Sequence, residues 1–147
     1  MGDKMGLRNF VNTFGVLLLT VGGAESAHAQ NAKLTVELNK FEDGENQSCQ
    51  AFFLFRNNTE FTFEAFEMSL AILDKNGIID RLLTIDAAPL NASRTSLKLF
   101  EVPEIACTDI SEILMHEIGA CRPQNGEEMD CFPLLELISR TSAKLVN

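Results

Sequence analysis

From residue 33 the chain alternates. In KLTVELNKF, Leu34, Val36 and Leu38 share one parity and Lys33, Thr35, Glu37 and Asn39 the other, the period-two mark of a strand with one wet face. CQAFFLFRN is apolar on both parities, with Ala51, Phe53 and Phe55 against Phe52 and Leu54, and predicts a central strand covered on both sides. FEAFEMSLAILD places Phe66, Met68, Leu70 and Ile72 opposite Glu67 and Ser69, GIIDRLLTID returns, and RTSLKLFEV alternates Leu97 and Leu99 against Ser96, Lys98 and Phe100. CFPLLELISR reads as a last strand, with Pro133 admissible at its start or on an edge. Six or seven short strands, separated by turn signals and not by helices, predict an all-β antiparallel sandwich.

One segment stays open on local signals. TDISEILMHEIG, residues 108 to 119, offers Asp109 and Glu112 as a capping box and Ile110, Ile113, Leu114 and Ile118 as a helical stripe. It is equally rich in β-branched residues, which favour a strand.

The stretch ILDKNGIIDRL has the acids of a calcium loop without their spacing. Counting Asp74 as position 1 puts Ile79 at position 6 and Ile85 at position 12, where the motif needs Gly and Glu. Placing Gly77 at position 6 puts Ile72 and Leu83 at the ends. Asn76-Gly77 between two alternating runs is instead a hairpin signal, and the expectation is a type I′ turn with positive φ at both residues.

The first residues follow another logic. Lys4 and Arg8 precede an apolar run from Phe14 to Val21, and Ala27-His28-Ala29 closes a small-residue stretch. This is the layout of a secretory signal peptide over residues 1–29, cleaved before Gln30. Residues 30–147 then form one domain, without a segment long and apolar enough to span a bilayer. Its location is expected to be periplasmic or secreted.

Charge and cysteines narrow the partners. The chain has a net charge of −9 and no cluster of Lys or Arg, so it repels phosphate backbones and anionic lipid, and nucleic-acid binding is excluded. Cys49, Cys107, Cys121 and Cys131 are an even set behind an export signal, which means two disulfides in an oxidising compartment. Cys121 and Cys131 flank the polar, turn-rich RPQNGEEMD. They are expected to pair with each other, and Cys49 with Cys107. No Cys-x-x-Cys or His-rich spacing suggests a metal instead.

The runs VELNKFEDGENQSCQAFFLFRN, FEMSLAILDKNGIIDRLL, APLNASRTSLKLFEVPEIACTDIS and CRPQNGEEMDC together resemble a family of small secreted alphaproteobacterial proteins labelled "Tat pathway signal sequence domain protein". The likeness covers nearly all of residues 30–147, its most specific parts being the four cysteines and FEVPEIACTDI. Residues 50 to 105 are also similar to the immunoglobulin-like FxLYD type of extracytoplasmic domain. These resemblances imply an immunoglobulin-like sandwich, with residues 110 to 118 as a strand. They carry no established activity. Lys4 and Arg8 stand without an Arg-Arg pair, so the general secretory route serves export as well as the twin-arginine one.

Chemistry is sparse. With His28 in the leader, His116 is the one remaining histidine. In a strand it shares parity with Leu114 and Ile118 and reads as a partly buried residue. A small metal or ligand carrier using Met115, His116 and Met129 is the alternative function, and a hydrolase a more remote one. There is no Gly-x-Ser-x-Gly elbow and no Gly-rich phosphate loop. No Trp or Tyr supplies a sugar platform, and acid pairs such as Glu127 and Glu128 read as solvated surface. No catalytic, cofactor or metal residue is assigned.

Phe52, Phe53, Phe55, Phe61, Phe63 and Phe66 crowd one stretch and read as core. Phe61 and Phe63, in the loop after Asn58, are the pair expected at the surface and the expected binding patch. Asn46, Asn57 and Asn91 head Asn-x-Ser/Thr sequons, read as composition. The function expected is a non-catalytic envelope accessory or interaction module, offering a protein partner an acidic face or an open sheet edge.

Overall fold

The computed structural model describes Gly2 and residues 33 to 147; the signal peptide and its cleavage site lie outside the described residues. Eight strands follow in chain order: β1 (Leu34–Asp43), β2 (Cys49–Asn57), β3 (Phe63–Asp74), β4 (Ile79–Asp86), β5 (Arg94–Val102), β6 (Ile110–Pro123), β7 (Leu135–Ser139) and β8 (Lys144–Val146). They form two four-stranded sheets, β5-β2-β1-β7 and β4-β3-β6-β8.

Alternation decides what lies between the sheets. Leu34, Val36 and Leu38 of β1 and Ala51, Phe53 and Phe55 of β2 meet Phe66, Met68, Leu70 and Ile72 of β3 and Ile113 and Met115 of β6 in one buried cluster. Phe55 and Phe66 touch across the sheets edge to face, with ring centroids 6.2 Å apart. Each such large side chain contributes about 1.5 to 3 kcal/mol on burial. The all-β sandwich read from the pattern is the fold observed.

Three features depart from that reading, and one open segment is resolved. Among the described residues the strands number eight, because residues 144 to 146 add a short one, and the sheets are mixed: β7 runs parallel to β1, and β8 parallel to β6. The segment left open on local signals is the strand that the resemblance implied, running from Ile110 to Pro123 after a short 3-10 turn at Cys107–Asp109. Tertiary pairing with β3 settles a segment whose local signals were balanced. β2 is central between β1 and β5, but Phe52 and Leu54 on its outer face are only half-buried, and among the described residues no third layer covers them.

The hairpin turn also differs. Gly77 has φ of +76°, while Asn76 is not among the residues of positive φ. The Gly77 N–H donates to the Asp74 carbonyl and the Asp74 N–H to the Ile78 carbonyl. This is a type I turn followed by a left-handed glycine, the three-residue alternative to a type I′ turn. The Asp74 carboxylate selects it, accepting from the N–H groups of Asn76 and Ile78.

Both cysteine pairs form as expected, Cys49–Cys107 and Cys121–Cys131. Each ties one sheet to the other. Cys49 opens β2 and Cys107 lies in the turn before β6; Cys121 lies in β6 and Cys131 precedes the Phe132–Leu134 turn into β7.

Candidate interaction surfaces

With the core complete, several large apolar side chains remain outside it. On β5 the leucine parity faces outward: Leu97 is 62% exposed and Leu99 50%, whereas Phe100 packs on the core and Val102 is buried in it. The alternation is real, and the leucine parity is the outer one. Both parities of β5 bear large apolar residues, so pairing with β2 chose the face.

Register builds an apolar block from these leucines. Leu97 lies opposite Leu54, and Leu99 opposite Phe52. Lys40 sits over the Phe52 ring at 5.0 Å, a cation–π contact. Beside the block, Glu37 is only 3% exposed although it lies on the outer face. It accepts from Asn39 at 2.7 Å and Arg56 at 2.9 Å, and lies 3.7 Å from Arg140. The Asn39 hydrogen bond first, then Arg56 and Arg140, hold the Glu37 carboxyl below its ordinary value despite the opposing effect of burial. The charge of Glu37 is satisfied within the face.

The outer face of the other sheet is organised differently. Leu82 of β4, 63% exposed, lies opposite Ala71 of β3, Ala71 opposite Leu114 of β6, and Leu114 opposite Val146 of β8. Ala71 is 2% exposed yet belongs to no core cluster; its neighbours on the outer face cover it. Exposed Ile78 and Ile79 extend this apolar row at the hairpin end, where Leu73 pairs with Ile79.

The expected patch divides. Phe61 is 50% exposed, but Phe63 is fully buried and part of the core. Their rings touch at 6.4 Å between centroids. Phe63 opens β3 and pairs by backbone hydrogen bonds with Leu90, which turns its ring inward.

The expected placement of His116 also fails: it is exposed, because a bulge opposite Ser69 and Leu70 leaves it unpaired between Met115 and Glu117. Met115 is fully buried and Met129 lies at the surface, so the three residues of the carrier alternative do not share an environment. At the β3–β4 hairpin, Asp74, Asp80, Glu104 and Asp109 line an acidic notch. Its carboxylates are already engaged: Asp74 by the turn, Asp80 and Glu104 by Arg81, and Asp109 by Lys75. Among the described residues no group of His, Cys, Asp and Glu is gathered to hold a metal ion, and no helix is long and apolar enough to cross a membrane.

No protein-family profile matches the chain, and no curated protein matches it either. Among solved structures, the fold is similar to that of IrmA from Escherichia coli, with a TM-score of 0.55 and 15% identity over 72% of this chain and 91% of that one. At that identity the likeness is one of fold alone, a β-sandwich.

Proposed function

We propose that this chain is a non-catalytic interaction module of an extracytoplasmic compartment, a rigid sandwich whose outer sheet faces meet a protein partner. The observation that carries the reading is the display of Leu82, Ile79, Leu97 and Leu99 on those faces while the core is complete without them. Contiguous exposed apolar side chains mark interaction sites in water-facing proteins. The disulfides support the compartment, since two bridges persist only where thiols are not kept reduced.

Strand addition at a sheet edge is the less favoured route. β4 and β5 are the long edge strands. Each directs a cation toward the core side at mid-strand: Arg81 lies opposite Ile72, and Lys98 shares the parity of Phe100. Inward-pointing charges of this kind block edge-to-edge pairing.

A photo-crosslinking residue placed at Leu82, at Leu97 or at the control position Glu127, in cells exporting the protein, tests the reading. A discrete adduct from Leu82 or Leu97 but not from Glu127 is expected. Equal, diffuse labelling from all three positions would overturn it.

A further inference from the structure

The two outer faces differ in their electrostatics, and the difference says what each can receive. Around the Leu97–Leu99 block, Glu37 is paired with Arg56 and Arg140, and Lys40 with Glu42. Glu101 and Glu136 on that face are exposed and outside any ion pair among the described residues, but they lie opposite the neutral Gln50 and Thr35, so no acid there faces another across the strands. On the face of β4-β3-β6-β8 the apolar row from Leu82 to Val146 is followed along the strands by Ser69 and Thr84, and then by acids. Glu67 lies directly opposite Asp86 across the β3–β4 pair, and Glu117 lies opposite Ser69 one step away. All three are exposed, and among the described residues none is in an ion pair. Asp86 also accepts from the Ala88 N–H, which keeps its carboxylate beside the strand. Glu67 extends over Gly119, where a Cβ would meet its Oε1 at 2.9 Å.

Like charges directly opposite on neighbouring strands destabilise a sheet. Glu67 and Asp86 keep that cost on an exposed face, where almost any neutral residue would remove it. A cation laid over the pair would relieve it.

Resting on the interaction-module reading above, we infer that the outer face of β4-β3-β6-β8 is the docking surface for a segment of a partner protein that is cationic at one end and apolar at the other. Lys or Arg side chains settle over Glu67, Asp86 and Glu117, and apolar side chains settle on Leu82 and Leu114, the neighbours that cover Ala71. The two halves are four residues apart along β3, from Glu67 to Ala71, about 13 Å at strand spacing. The net charge of −9 steers such a segment toward the protein.

The probe is a blocked six-residue peptide, acetyl-Lys-Lys-Gly-Ser-Leu-Leu-amide, titrated into the intact disulfide-bonded protein and followed by heteronuclear NMR. Counterparts have Glu in place of Lys, or Ser in place of Leu. Saturable shifts at the amides of Glu67, Ser69, Leu82, Thr84 and Glu117 are expected with the first peptide only, weakening as salt is raised. Glu67→Lys should weaken binding about tenfold while raising the melting temperature, because it turns a like pair into an opposite one.

Absence of saturable shifts, shifts confined to Leu97 and Leu99, or an unchanged affinity in Glu67→Lys would each overturn the inference. So would a dimer masking the same amides, which assigns the face to a second copy. A crosslink from Leu97 with no peptide effect here would sink this inference and leave the interaction-module reading standing.

Discussion

Asn57 is 1% exposed and joins three segments by itself. Its Nδ2 donates to the carbonyls of Phe61, Leu90 and Asn91, and its Oδ1 accepts from the N–H and hydroxyl of Thr59. The Asn-x-Thr triplet, which as sequence looks like chance composition, is the polar corner that turns β2 into β3. Asn57→Ala removes all of these bonds from a buried corner, leaving the Leu90 carbonyl only the Phe63 N–H, and should lower stability by about 2 to 3 kcal/mol in urea unfolding. Glu37 makes a different prediction. Because its folded-state carboxyl is held below the ordinary value of 4.5, the stabilisation is fully present above that value and is lost as the pH falls through the folded one. Glu37→Gln should therefore be less stable than the parent at neutral pH. The gap should narrow as unfolding is repeated from about pH 6 down to about pH 3, and a gap independent of pH would contradict the assignment.

At the scale of strands, the edges of the sandwich are managed and the faces are not. Lys98 donates to the Ala88 carbonyl at 3.2 Å from the core-facing parity of β5, and Arg81 does comparable work on β4 through Asp80. Replacing Lys98 with Val completes an apolar edge. The expected outcome is concentration-dependent association, read by analytical ultracentrifugation, without loss of the monomer's fold. β6 protects its free edge by another device. β8 covers only Glu112 to Leu114, and beyond it bulges around His116 and Gly119 break the regular ladder. The strand pattern itself was legible where period two survives, as in β1 and β3. Which parity faced inward was not legible for β5, since Leu97 and Leu99 compete with Phe100 and Val102 and only the partner strand β2 decides between them.

For the whole molecule, the two disulfides sit where one sheet passes into the other. Cys49–Cys107 closes the longer loop, with a sequence separation of 58 against 10 for Cys121–Cys131. In the chain-entropy account the longer bridge stabilises by about 4 kcal/mol and the shorter by about 3 kcal/mol. The double replacement Cys49→Ser with Cys107→Ser should therefore cost more than Cys121→Ser with Cys131→Ser, measured by denaturant midpoints under non-reducing conditions. The opposite order would mean that unfolded-state structure, and not loop closure, sets their worth. A frame held this way presents its faces rigidly, which lowers the ordering cost of binding.

The amino-acid sequence by itself determined the strand-rich class, the short Cys121–Cys131 loop and the hairpin at Asn76-Gly77. Each of these rests on local period, spacing or turn chemistry, which needs no distant residue to be read. Tertiary structure alone decided that Phe63 is core while Leu97 is surface, and that Glu67 stands beside Asp86. Those outcomes depend on which strands become neighbours and in what register, and a one-residue change of register turns every side chain to the other face.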